Sequence, residues 1–336
     1  MKRNSELSLI ILAFSLLKGV GAVFVKKSLV TIQNSYHYWS SANAHDSLTK
    51  LLALVEKKYS ALEIEKAISQ AEDILAECES HEIGFTSVVD ANYPKKLLDL
   101  KDPPPILFFR GNLSLVDKDV VTLIGTRKPN ENGKIIAERV GKYFSSKGWV
   151  ICNGLADGID TFSILDRDNN CFAEVIGVVG SGLAKPSFRS LPKQSEINIE
   201  RILTNGGLVV SEIPPLKKQD TFSVVKSCRI QAGLGAGVIL IQSSLNGGSR
   251  FTVKASVESN RPLGIIHPVE PDMHRDDYSA NRKIIEYGVQ GLNEFVELKN
   301  SKSSNSKIVV LLTKQSYPVL ESALKEEKLS KLLLTT

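Results

Sequence analysis

The sequence predicts an α/β protein built on a doubly wound, mostly parallel sheet, with a small all-helical segment in front of it and a short strand-helix appendage behind. Three observations lead there. Apolar, β-branched runs recur from residue 120 onward, Gly-rich turns close most of them, and stretches of helical composition separate one from the next. Strand, helix and strand at these lengths favour parallel pairing with right-handed crossovers.

The first 82 residues read as a helical unit, with helices over Ser5–Leu17, Ser47–Tyr59 and Ala61–Cys78. The apolar run Leu7–Leu17 lies between Glu6 and Lys18; it is too short to span a bilayer and is read as an amphipathic or buried helix. The segment Leu17-Lys18-Gly19-Val20-Gly21-Ala22-Val23-Phe24 is similar to a helix-hairpin-helix turn, in which glycines let backbone N–H groups approach a phosphate. A plain interhelical turn is the competing reading.

Residues 84–297 carry the α/β pattern. Buried strands are expected at Val120–Ile124, Trp149–Cys152, Glu174–Val179, Leu208–Ser211, Gly237–Ile241 and Leu263–Ile266, with helices at Gly133–Lys147, Ser195–Asn205 and Thr252–Ser259. Residues 298–306 are rich in Ser, Lys and Asn and read as a linker. The appendage, 307–336, holds a strand at Lys307–Leu312 and a helix at Pro318–Leu334, too little to bury much surface alone, so it is expected to dock on the main domain. No internal repeat is found.

At 336 residues, 42% hydrophobic and 24% charged, the chain can bury a globular core. The net charge of +5 permits contact with phosphates without demanding it. Cys78, Cys152, Cys171 and Cys228 are scattered without metal or disulfide spacing, which points to a reducing cytosol. The five histidines lack metal spacing, and neither a G-x-S-x-G nor a Walker motif occurs, so no metal, cofactor or catalytic residue is expected.

The segments Tyr93–Leu98 and Asp102–Asn112 lead into Leu123-Ile124-Gly125-Thr126-Arg127-Lys128-Pro129 and then Asn153-Gly154-Leu155-Ala156-Asp157-Gly158-Ile159-Asp160. Gly180-Ser181-Gly182-Leu183, Gly207–Pro214 and Asn246-Gly247-Gly248-Ser249 follow. Taken in order, these motifs resemble the DprA/Smf (DNA-processing protein A) family, whose pattern is matched from about residue 84 to 296. The resemblance implies a Rossmann-like domain that binds single-stranded DNA without chemistry, forms dimers, and helps load a RecA-type recombinase during DNA uptake or recombination in the cytoplasm.

Physically, Gly-rich loops after parallel strands gather where α/β sheets hold ligands. Gly125, Gly154, Gly158, Gly182, Gly247 and Gly248 allow close backbone approach to an anion, with Thr126, Lys128, Asp160 and Ser249 in the same loops. Arg127 is suited to fork onto a phosphate; Lys185, Arg189, Lys226 and Arg229 are further candidate phosphate contacts, and Phe188 a candidate base stacker. Several positions depart from the family pattern. The F-P-x-R-N-R segment becomes Phe222–Arg229, Asn153 replaces the opening serine of S-G-L-A, Thr161 follows Asp160 in place of a histidine, and S-G-S is expanded to Asn246–Arg250. These changes leave open a second reading, a nucleotide-sensing or nucleotide-hydrolysing module, for instance in defence against foreign DNA, with Glu212 as its carboxylate.

Overall fold

The computed structural model describes residues 2–35, 39, 43–298 and 306–334. The linker expected over 298–306 lies, apart from its two end residues, outside them. The chain forms two compact units: residues 1–110 with 180–190 and 210–220, and residues 111–179, 191–209 and 221–336.

The first unit begins with five helices, α1 (Lys2–Leu16), α2 (Ala22–Lys27), α3 (Leu29–Ser35), α4 (Ala44–Leu54) and α5 (Ala61–Ser80). Residues Ser8 to Phe14 of α1 are all buried, so the apolar run is a core helix packed on α4 and α5. Ser60 opens α5 with a capping box: its Oγ accepts from the Glu63 N–H while Glu63 accepts from the Ser60 N–H at 2.8 Å. Strands β1 (Gly84–Ser87) and β2 (Ile106–Gly111) then pair antiparallel, with Ser87 opposite Ile106. The segment between them is pinned by Tyr93, whose hydroxyl donates to the Pro104 carbonyl at 2.8 Å.

The second unit follows the doubly wound course. Strand β3 (Val120–Ile124) leads to α6 (Glu131–Ser146), β4 (Val150–Asn153), the single turn α7 (Ile159–Phe162) and β5 (Val175–Val178). After the turn α8 (Lys185–Phe188), which belongs to the first unit, come α9 (Lys193–Thr204) and β6 (Leu208–Ser211). The chain continues through α10 (Thr221–Leu234), β7 (Val238–Leu240), α11 (Ser249–Glu258), β8 (Leu263–Ile266), α12 (Ser279–Phe295), β9 (Ile308–Leu311) and α13 (Tyr317–Leu334). Leu208 and Val209 of β6 stand beside β5, and the sheet runs on as β5-β4-β3-β7-β8-β9. The pairs β3 with β4, β4 with β5, β3 with β7, β7 with β8 and β8 with β9 are all parallel. The chain thus winds outward from β3 on one side, returns to β7, and winds outward on the other, a Rossmann-like course. Every residue of β3, β4, β5, β7 and β8 is buried, as two-sided helical cover requires.

The sequence reading of β3, β6 and β8 matches the observed bounds. Two long helices escaped it. One is α10, buried at Ser223, Ser227 and from Arg229 to Leu234, so no polar stripe betrays its period. The other is α12, bent at Gly288 (φ 54°, ψ −128°).

Candidate nucleic-acid interface

The reversal of winding places a crevice outside the carboxyl ends of β3 and β7, the position at which open α/β sheets bind ligands. Three loops of the second unit reach it. The first, Gly125 to Asn130, leaves β3. The Thr126 N–H donates to the Gln242 carbonyl at 2.7 Å, fastening this loop to the end of β7. Thr126 Oγ1 accepts from the Lys128 N–H at 3.2 Å, and Asn130 caps α6 by accepting from the Gly133 N–H at 2.8 Å. Arg127 and Lys128 stand exposed between these two anchors.

The second loop, Gly154 to Gly158, leaves β4 and lies directly against the first. Gly158 has φ +77°, and a Cβ there would come within 2.5 Å of the Thr126 carbonyl oxygen and 2.6 Å of the Arg127 carbonyl. No other residue fits. The Ile159 N–H donates to the Thr126 carbonyl at 3.1 Å, so the peptide that carries Arg127 is held from this side too. Beneath, Asp160 is buried and one carboxylate oxygen accepts from the Gly154 N–H at 3.1 Å and the Ala156 N–H at 3.3 Å. Burial pushes its pKa up to about 7, against the pull of those two N–H groups and of the Arg127 charge. Asp160 therefore braces the loop from below. Asn153, in place of the family's serine, donates to the Asp160 carbonyl at 2.8 Å and to Ser163 Oγ at 3.1 Å.

The third loop, Gln242 to Gly248, leaves β7. Ser243 Oγ and Ser249 Oγ are 2.6 Å apart, and the Gly247 N–H donates to the Ser244 carbonyl at 2.9 Å. Gly248 precedes α11 without a side-chain cap, leaving that helix start to backbone and ligand. The loop is held by Asn281, which no motif announces: its Oδ1 accepts from the Ser243 N–H at 3.0 Å, and its Nδ2 donates to the Leu240, Ile241 and Ile266 carbonyls at 3.3, 3.1 and 2.9 Å.

From α10, Gln231 reaches the same ground: a Cβ on Gly154 would lie 2.7 Å from its Nε2. Lys226 is half-buried, and Arg229 is 8% exposed with one guanidinium N–H donating to the Lys226 carbonyl at 2.8 Å. Cys228, between them, has its thiol pKa raised by burial and lies within electrostatic reach of Asp160 and Arg127. Arg127 and Lys128 are thus the outward cations of the first loop, and Arg229 is an inner one.

Gly182, Lys185, Arg189 and Glu212 sit in the first unit, on loops 180–190 and 210–220. The two loops are zipped together: the Gly182 N–H donates to the Lys217 carbonyl at 2.8 Å and the Ala184 N–H to the Pro215 carbonyl at 3.1 Å. A Cβ on Gly182 would strike the Pro214 and Pro215 carbonyl oxygens at 2.2 and 2.1 Å, so this glycine is required by packing. Lys185 and Arg189 are exposed and Glu212 is half-buried. Phe188 is only 3% exposed and belongs to the core, which corrects its reading as a base stacker. Phe222, in the first turn of α10, is 75% exposed. Among the described residues, no cluster of three or more His, Cys, Asp or Glu is placed to hold a metal, and no helix is long and apolar enough to cross a membrane.

Comparison with known proteins matches residues 84–300 to the family model of DNA recombination-mediator protein A. The chain belongs to this family. Among the relatives of the DNA recombination-mediator protein A domain, the DNA processing protein DprA of Bacillus subtilis is 29% identical over 262 residues, 76% of this chain and 85% of that protein. The DNA processing protein DprA of Streptococcus pneumoniae is 32% identical over 177 residues, 53% of this chain and 60% of that protein. The crystal structure of the Streptococcus pneumoniae protein matches the fold with a TM-score of 0.67 at 24% identity, covering 92% of this chain and 95% of that one. DNA processing protein A from Helicobacter pylori, whose structure was described for its single-stranded DNA binding mode, matches with a TM-score of 0.56 at 21% identity, covering 72% of this chain and 96% of that one.

Proposed function

We propose that this chain binds single-stranded DNA at the crevice outside β3 and β7, led by phosphate and without chemistry. The observation that carries the reading is Arg127: an exposed guanidinium on a peptide fixed from both sides, by Gln242 beyond Thr126 and by Gly158 and Ile159 beneath. With its backbone already fixed, Arg127 has only its side chain to order when it closes on a phosphate. Lys128 beside it and Arg229 behind it add charge, and the loop before α11 adds backbone donors. Phe222 lies one helical turn before Lys226 on α10 and offers a ring face for an unpaired base, a contact that a duplex, with its bases stacked inside, cannot use. The single-stranded DNA binding of the Helicobacter pylori protein supports the same substrate. On this reading the protein is a homodimer of the cytoplasm that protects incoming single strands and helps load a RecA-type recombinase, in uptake or recombination. The family's name supports that placement.

The test is fluorescence anisotropy of labelled poly-dT over a salt series, with duplex DNA and mononucleotides as competitors. Single strands should outcompete both, and Arg127→Ala should weaken binding and flatten the plot of log affinity against log salt by about 0.7 for the lost phosphate contact. Binding of a mononucleotide but not of poly-dT would discard the strand reading, and consumption of that nucleotide would make Glu212 the residue to change next.

A further inference from the structure

The α1–α2 turn is not used by the crevice, and its surroundings single it out. Between Glu6 and Asp46 the sequence holds Lys18, Lys26 and Lys27 and no acidic residue. The turn is anchored by Val20, 3% exposed, whose N–H donates to the Leu17 carbonyl at 3.0 Å, while Lys18, Gly19 and Gly21 face solvent. A Cβ placed on either Gly19 or Gly21 would meet nothing within 4 Å, so a flat surface can come up to the backbone here.

A second loop, between α4 and α5, brings its own cations to the same place. Tyr59 donates its hydroxyl to the Lys18 carbonyl at 2.6 Å, and Lys57 Nζ sits over the Phe24 ring, 4.8 Å from its centre. Lys58, between them in sequence, is exposed. Lys18, Lys57 and Lys58 therefore rim one turn, with Lys27 one helical turn beyond Phe24. The acids nearby are Glu56 and Glu63. Glu63 is engaged by the Ser60 N–H and Oγ at 2.8 and 2.7 Å, and these bonds, with Lys18 and Lys66, hold its pKa below the usual carboxylate range.

We infer that this pair of loops is a second nucleic-acid contact that holds the phosphate backbone of duplex DNA and does not read bases. Charge and open backbone suit phosphates; of the two rings here, Phe24 is covered by Lys57 and Tyr59 is tied by its hydroxyl to the Lys18 carbonyl, so neither is free to swing onto an unpaired base. A surface with cations and no free stacking ring accepts a duplex, whose phosphates lie outside and whose bases do not.

The experiment uses the full chain and measures anisotropy of a labelled duplex and of labelled poly-dT over the same salt series. The double variant Lys18→Gln/Lys58→Gln leaves the Lys57–Phe24 contact in place, and Lys18→Glu/Lys58→Glu reverses the charge. Circular dichroism and melting temperature check that both fold as the wild type does. Duplex affinity should fall roughly tenfold in the Gln variant and further in the Glu variant, with the duplex salt slope flattened by about 0.9 for each lost contact. Poly-dT binding should stay within about twofold. The inference is overturned if the wild type binds no duplex, if duplex affinity survives both variants, or if poly-dT and duplex fall together. Arg127→Ala, run in parallel, reports on the crevice separately: it should weaken poly-dT and spare the duplex.

Discussion

Asp160 shows how much one residue's setting decides its role. A carboxylate facing a phosphate would repel it, yet this one is buried, 6% exposed, and one of its oxygens accepts from the Gly154 and Ala156 N–H groups. Its pKa rises from 3.8 to about 7 through burial, so between those values the folded chain keeps a proton that the unfolded chain has released. The stability tied to that proton is complete below the unfolded pKa and is lost as pH rises through the folded one. The free energy of unfolding should therefore decline from pH 4 to pH 7 by an amount that Asp160→Asn removes, at a slope of up to about 1.4 kcal/mol per pH unit. The Asn side chain can present one oxygen to both N–H groups, so the brace survives the change. Identical pH profiles for the two proteins would show that Asp160 is not the buried acid described here. Motif spacing names Asp160 but carries no burial, so this setting is invisible before folding; for the same reason Phe188, a candidate base stacker by sequence, is a core residue in the structure.

Among the elements, what could be read from sequence was whatever one strand or one helix face determines by itself. Strands β3, β6 and β8 are continuous apolar runs bounded by turn residues, and their ends follow from composition alone. Asn281 is the opposite case. It lies in the first turn of α12, a helix the pattern did not reveal, and its importance arises only because the ends of β7 and β8 and the Ser243 loop converge on its amide. Asn281→Ala removes two N–H donors shared among three carbonyls and the acceptor of one buried N–H. Urea unfolding should show a loss of about 2 to 4 kcal/mol, the scale expected when buried polar groups lose their partners. Ser279→Ala, which removes a single bond to the exposed Leu245 N–H, should cost less than about 1 kcal/mol. Equal losses for the two variants would mean that Asn281 is not the pin of the third loop. On the proposed reading, poly-dT affinity should be weakened by the first and not by the second.

At the scale of the whole molecule, motif order along the chain marks the crevice loops, while the gathering of 180–190 and 210–220 with the first 110 residues is a product of the folded contacts. The appendage shows how a segment too short to fold alone becomes part of a core. Strand β9 extends the sheet beyond β8, with Ile265 opposite Val310, and α13 lays Leu320 and Leu324 over Gly264 and Gly237. Glu321 closes the contact: it accepts from Tyr143 Oη at 3.1 Å, Trp149 Nε1 at 3.5 Å and Lys325 Nζ at 2.7 Å. Trp149 is 2% exposed, and Tyr143 has its pKa pushed up to about 12 by burial and by Glu321, so both donors depend on that one carboxylate. In a Trp39→Phe background Trp149 becomes the sole tryptophan. There, Glu321→Ala should shift its emission to the red, lower the unfolding midpoint and reduce the free energy of unfolding by about 1 to 3 kcal/mol, while Glu321→Gln, which keeps an acceptor, should stay close to the wild type in each. Removal of residues 307–336 should do more, because it uncovers the β8 edge along with Tyr143 and Trp149. If emission and midpoint survived that truncation unchanged, the appendage would be a passenger on the sheet and not the strand that extends it and the helix that covers it.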